Sequence, residues 1–164
     1  MRWPLQRRLY PTVENDDSDL GSPRADELLS PVLEHALLPA KATGAAIALR
    51  EGNEMVCRAA QGTAPDLGMR LDDRSGFSGM CLRKARILFC DDTETDPRVD
   101  RAACLRLGVR SIIAVPLLDQ GKAVGILEVF SGTAHAFDDN DIRHVDRLAK
   151  MIVEAMADVR PARA

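Results

Sequence analysis

The chain reads as an α+β domain built on an antiparallel sheet, and three observations point there. Two apolar runs rich in Val and Ile, 109–117 and 124–130, are split by a turn containing Gly121; this is the pattern of a hairpin of two central strands. Two shorter strand-like runs, 44–49 and 54–60, are joined by Arg50-Glu51-Gly52-Asn53. Segments near both ends repeat their apolar residues at helical spacing. Strands joined by tight turns form an antiparallel sheet, and helices at the ends and midway can cover its faces.

Taken in order, residues 1–23 lack hydrophobic periodicity and contain Pro4, Pro11, Pro23 and the cluster Glu14-Asn15-Asp16-Asp17. They read as a mobile leader. A first helix is expected over 24–38, with Leu28, Leu29, Val32, Leu33, Ala36 and Leu37 on one face. Ser22 suits the N-cap, Pro31 should kink or divide the helix, and Pro39 ends it. The first hairpin follows, with Cys57 in its second strand as a small hydrophobe. Residues 61–75 read as a polar loop. A short helix is expected over 76–85, a short strand over 87–90, an acidic turn over 91–96 and a helix over 99–107, with Gly108 as its C-cap. After the central hairpin, a closing helix starts at Asp138 or Asp139 and runs to about Val159. Its residues Ile142, Val145, Ala149, Ile152 and Met156 form a seam that Leu148, Val153 and Ala155 widen. That width suggests a second partner: the first helix, another copy of the chain, or both. Residues 160–164 read as a disordered tail, leaving one domain over 24–159.

Composition narrows the function. The chain has 164 residues, enough for one substantial core. It is 46% hydrophobic but only 4% aromatic, so few rings are available to stack bases or a flavin. The net charge of -3 comes from interspersed charges of both signs, which argues against a nucleic-acid partner. No run of eighteen apolar residues suggests a membrane span, and no apolar segment follows Arg2, Arg7 and Arg8 as a secretory signal would require. The expected compartment is the cytoplasm, where Cys57, Cys81, Cys90 and Cys104 would be free thiols. No C-x-x-C pair occurs and the three histidines are scattered, so no metal site is expected.

The stretch from Gly76 to Glu128 carries a resemblance. The runs Gly76-Phe77-Ser78-Gly79, Asp91-Asp92, Asp96-Pro97-Arg98, Gly108-Val109-Arg110-Ser111, Val115-Pro116-Leu117 and Gly125-Ile126-Leu127, followed by Phe137 and Asp141, occur in an order and spacing that resembles a GAF domain. The resemblance spans about 26–156. It implies a six-stranded antiparallel sheet with the terminal helices on one face, where such domains often dimerise. It also implies a small-molecule pocket on the other face, under short helices and loops between about residues 62 and 107.

The residues here match each of three GAF chemistries only in part. Cyclic-nucleotide-binding GAF domains resemble this chain at Lys122, Phe137 and Asp141, but Ile142 stands where their final Glu belongs and no Asn precedes Lys122. Bilin-binding members attach the chromophore to a Cys usually followed by His, whereas Leu105 follows Cys104. Free methionine-sulfoxide reductases place a Cys where this chain has Ser78, and a hydroxyl cannot form the sulfenic acid that reaction needs. The candidate pocket residues are Ser75, Ser78, Cys81, Cys90, Asp91, Arg101, Cys104, Arg110 and Ser111. Cys81, Cys90 and Cys104 are redox candidates if one is exposed and its ionisation is eased by Arg83, Arg98, Arg101 or Arg110. Arg98, Arg101 and Arg110, with Ser75, Ser78 and Ser111, could receive an anion, or the arginines be neutralised by Asp91, Asp92, Asp96 and Asp100. The expectation is a non-catalytic sensory or regulatory domain binding an unidentified small molecule, with no cofactor specified, and forming a homodimer through its first and last helices. The alternatives are an interaction module without ligand and a thiol-dependent reductase.

Overall fold

The computed structural model describes residues 23–159. The expected leader up to residue 22, the Ser22 cap and the tail 160–164 lie outside the described residues. The elements in chain order are α1 (Pro23–Ala36), β1 (Gly44–Glu51), β2 (Glu54–Gly62), β3 (Arg70–Leu71), α2 (Gly76–Lys84), β4 (Leu88–Cys90), α3 (Arg101–Leu107), β5 (Ser111–Asp119), β6 (Lys122–Ser131) and α4 (Asp139–Val159). All strand pairs are antiparallel, in the order β3-β2-β1-β6-β5-β4. The six-stranded α+β sheet implied by the resemblance is therefore the sheet observed.

The turns follow from local chemistry. Asp119 pairs with Lys122 across Gln120 and Gly121, both at positive φ, which is the backbone a two-residue hairpin turn of type I′ requires. Gly125 permits a close crossing, since a Cβ there would meet the Ala48 carbonyl oxygen at 2.6 Å and the Leu117 side chain at 2.8 Å. At the start of α4, Asp138 accepts from the Asp141 N–H and Asp141 accepts from the Asp138 N–H. This reciprocal cap satisfies two donors at the helix entrance.

Three boundaries correct the sequence expectation. Pro31 does not divide α1, which runs through it and ends at Ala36. The helix expected from Val99 begins at Arg101, because the Asp100 carboxylate accepts from the Ala103 N–H at 3.0 Å and makes Asp100 the N-cap. The loop expected over 61–75 contains β3, two residues that pair with Met55 and Val56. So short a strand has no periodicity to read; its partner makes it a strand.

The sheet separates two apolar layers by alternation. Ile113, Val115 and Leu117 of β5, Leu127 and Val129 of β6, and Ala45, Ile47 and Leu49 of β1 face α1 and α4. Leu29 and Leu33 of α1 and Val145, Leu148, Ala149, Ile152 and Met156 of α4 pack onto them. Burying each such Leu, Ile or Val stabilises by about 1.5–3 kcal/mol. The other face carries Ala46 and Ala48, Ile112 and Ala114, and Ile126 and Phe130 beneath a roof from α2 and α3. A register shift in β2 places Arg58 between Cys57 and Ala59, which lie opposite the adjacent β1 residues Ala48 and Ile47. The extra residue reverses the alternation, so Ala59 joins the helical layer while Cys57 faces the roof.

Candidate functional site

The roof face is built on β6. Its parity puts Glu128 on the same side as Ile126 and Phe130, with Ala46 and Ala114 as its partners on β1 and β5. Glu128 is 2% exposed, so a carboxylate sits mid-strand under the roof. Ser78, also buried, comes down from the first turns of α2 and donates its hydroxyl to Glu128 Oε1 at 2.5 Å. Burial pushes the Glu128 carboxyl up from 4.5 to about 7, against the opposing pull of the Ser78 hydrogen bond. Removing a carboxylate from water disfavours its charged form.

Thiols surround this pair. Cys81 of α2, Cys57 of β2 and Cys104 of α3 are buried, and the Glu128 charge acts on each. Burial first, and Glu128 second, push Cys57 and Cys81 up to about 12. Burial pushes Cys104 up to about 11. Cys90 rises to about 12 through burial and the neighbouring Asp96. These are neutral thiols at physiological pH, whereas redox sensing needs an accessible thiolate. The expected thiol trio is thus gathered on one face, but in the opposite electrostatic environment from the one the redox reading requires.

Three of the four arginines named for the thiols or an anion, Arg83, Arg98 and Arg110, are engaged elsewhere. Arg98 forms a fork with Asp96 at 2.6 Å, donates to the Phe89 carbonyl and lies 5.1 Å from the centre of the Phe77 ring. Arg110 pairs with Asp92 at 3.1 Å. Hydrogen bonds from the Glu94 N–H and from Arg110 hold the Asp92 carboxyl below its ordinary range. Arg83 donates to the Asp73 carbonyl. The neutralised loop network anticipated for Arg98 extends to Arg110 and ties 89–98 to the start of β5.

The remaining candidates separate. Ser111 is buried and donates to the Thr133 carbonyl at 2.7 Å, a structural bond away from Glu128. Asp91 is exposed and near His135. Ser75 is exposed and donates to Asp72. Arg101 is exposed on the first turn of α3. Of the nine candidate residues, Ser78, Cys81, Cys90 and Cys104 share the roof-side layer and the other five do not. Phe137 and Asp141 have structural roles on the far face, as a core side chain and a helix cap. Among the described residues, no group of three His, Cys, Asp or Glu side chains converges as a metal site would, and no helix is long and apolar enough to cross a membrane.

A cleft of about 190 Å³ opens beside this layer. One wall is the segment leading to β3, with Ala64, Pro65, Asp66 and Met69; the other is α3, with Ala103, Arg106 and Leu107. The walls are apolar, with one carboxylate and one guanidinium among them. Cys57 feels the charge of both Glu128 and Asp66, the second of which lines the cleft. Glu128 was missed in the sequence, although a carboxylate at the parity of Ile126 and Phe130 in a strand buried on both faces was the available signal.

A central antiparallel sheet, terminal helices on one face and a short-helix roof on the other define the fold class. Residues 23–157 match the family model described as GAF domain, and the chain belongs to that family. It is 30% identical over 100 residues to GAF domain-containing protein A of Dictyostelium discoideum, covering 61% of this chain and 60% of that relative's length. Among solved structures, it is similar to the type II free methionine-R-sulfoxide reductase of Thermoplasma acidophilum, with a TM-score of 0.73, 19% identity and coverage of 85% and 96% of the two chains. It is also similar to the GAF domain of a phosphoenolpyruvate-protein phosphotransferase from Coxiella burnetii, with a TM-score of 0.71, 20% identity and coverage of 85% and 86%. At these identities the structural likenesses establish the fold.

Proposed function

We propose that this GAF domain is a non-catalytic sensor that binds a small molecule in the cleft between α3 and the segment leading to β3. Occupancy would pass through the shared sheet to α1 and α4. The observation that carries this reading is the apolar cleft between Ala64 and Leu107, several of whose residues pack into the roof-side layer. A concave apolar site with a few polar groups is what small-ligand recognition uses. Thiol catalysis is disfavoured because all four cysteines are buried and neutral, and the reductase slot holds Ser78. The test is thermal unfolding against a panel of small metabolites, with Ala64→Trp in parallel to fill the cleft. A ligand at a hundred times its Kd should stabilise the wild type by about 2.7 kcal/mol and leave the variant unchanged. Failure of every compound, or an equal response in the variant, would defeat the reading.

We further propose that signalling uses a homodimer formed through α1 and α4. Leu28 on α1 and Met151 on α4 are 39% and 56% exposed, so each helix offers an apolar side chain to such a partner. Sedimentation should give a dimer mass, and Leu28→Glu with Met151→Glu should give a monomer. A wild-type mass that stays monomeric at all concentrations excludes this arrangement.

A further inference from the structure

Glu128 stands apart from the other buried polar residues. Thr93 donates to the Val109 carbonyl, Ser111 to the Thr133 carbonyl, and Ser131 accepts from the Thr133 N–H. Those are satisfied structural bonds. Glu128 has four acceptor positions when ionised, and among the described residues it receives one donor, Ser78. The titratable groups of its layer that feel its charge are the Cys57 thiol from β2, the Cys81 thiol from α2 and the Cys104 thiol from α3. Its partners on β1 and β5, Ala46 and Ala114, carry no charge. No described cation pairs with it. An acid kept in such a place is costly as an anion and acceptable as a neutral carboxyl.

The one donor comes from the roof rather than from the sheet. α2 is nine residues long and carries Ser78 beside Phe77, Cys81 and Leu82 on its buried face. It is entered through Gly76 at positive φ, and its N-cap Ser75 makes no side-chain capping bond. α2 therefore lacks the side-chain N-cap bond that Asp100 gives α3.

We propose that the Glu128 side chain is a proton-controlled latch, holding α2 on the sheet when neutral and releasing it when ionised. The neutral carboxyl needs little beyond the Ser78 hydroxyl, so the roof closes over it. Loss of the proton to solvent leaves an anion with one donor. Lifting α2 admits water to the remaining positions and separates Ser78 from β6. Burial holds the closed-state acid to about neutral pH, while a hydrated carboxyl ionises in the ordinary range. Opening therefore grows more favourable as pH rises between those two values and levels off above the higher one. The latch needs no ligand in the cleft, so it stands or falls independently of the sensor reading.

The experiment is carbon-13 NMR titration of the Glu128 carboxyl in the full chain, with amide hydrogen exchange of α2 over the same pH range. Glu128→Gln assigns the resonance and serves as the permanently neutral form. In the wild type, Glu128 should titrate near neutrality. Protection of residues 77–84, corrected for intrinsic exchange, should fall by up to about a hundredfold from pH 5 to about pH 7. The amides of β1 and β6 should keep their protection, and α2 of Glu128→Gln should show no such fall. Titration in the ordinary carboxylate range overturns the latch. So does α2 protection that is independent of pH, or a loss shared equally by the central strands. The wild-type hydrogen exchange of α2 against β1 and β6 decides the matter even if the variant does not fold.

Discussion

Glu128→Gln is expected to become progressively more stable than the wild type as pH rises from about 5 to about 8. The folded-state carboxyl is raised from 4.5 to about 7. A raised acid favours the folded state below its unfolded value and withdraws that favour as pH climbs to the folded value. Over this window the wild type should lose about 2–3 kcal/mol that the glutamine variant keeps. The amide retains an acceptor for Ser78 but brings N–H donors into a thiol-lined site, at a fixed cost of about 1–3 kcal/mol. That cost is the same at both pH values and cancels in the comparison. Urea unfolding of both proteins at the two ends of the range measures the change directly. An offset between them that does not move with pH would mean Glu128 is hydrated or paired inside the fold.

Phe77→Ala should be the most damaging single substitution on the roof, lowering stability by about 3–5 kcal/mol. Phe77 is fully buried in the roof-side core, and its ring lies beneath the Arg98 guanidinium. Removing the ring opens a cavity between α2 and the sheet and takes the surface from under Arg98, which also braces the loop through Asp96 and the Phe89 carbonyl. A domain with an ordinary margin of about 5–15 kcal/mol would be left close to unfolding. Phe77→Leu, which keeps much of the volume, should cost less than half as much. Urea midpoints for the two variants give the ratio, and a loss under about 1 kcal/mol for alanine would show that α2 is not anchored by this ring.

Most of the sheet was legible because burial on a strand leaves a period in the residues that cause it. The β5–β6 hairpin, its Gln120-Gly121 turn and the α4 seam were all readable this way. β3 was not, since two residues carry no period and Arg70 and Leu71 owe their strand to Met55 and Val56. The bulge at Arg58 was equally hidden, because a register shift shows only when β1 lies alongside. The Asp96–Arg98 pair was visible as near neighbours, while Arg110–Asp92 spans eighteen positions and appears only once the loop folds back onto β5.

The candidate site divides along the same line. Alternation alone assigns Glu128 to the face of Ile126 and Phe130, and composition alone makes that face aliphatic. Its meeting with Ser78, fifty positions earlier in the chain, depends on α2 lying across the middle of the sheet. Whether a thiol is reactive or inert likewise depends on what is packed around it, and here that packing buries all four. Periodic burial is a property of neighbours along the chain, so it is written in their order. Desolvation and pairing are properties of neighbours in space, and these exist only after distant segments have been brought together.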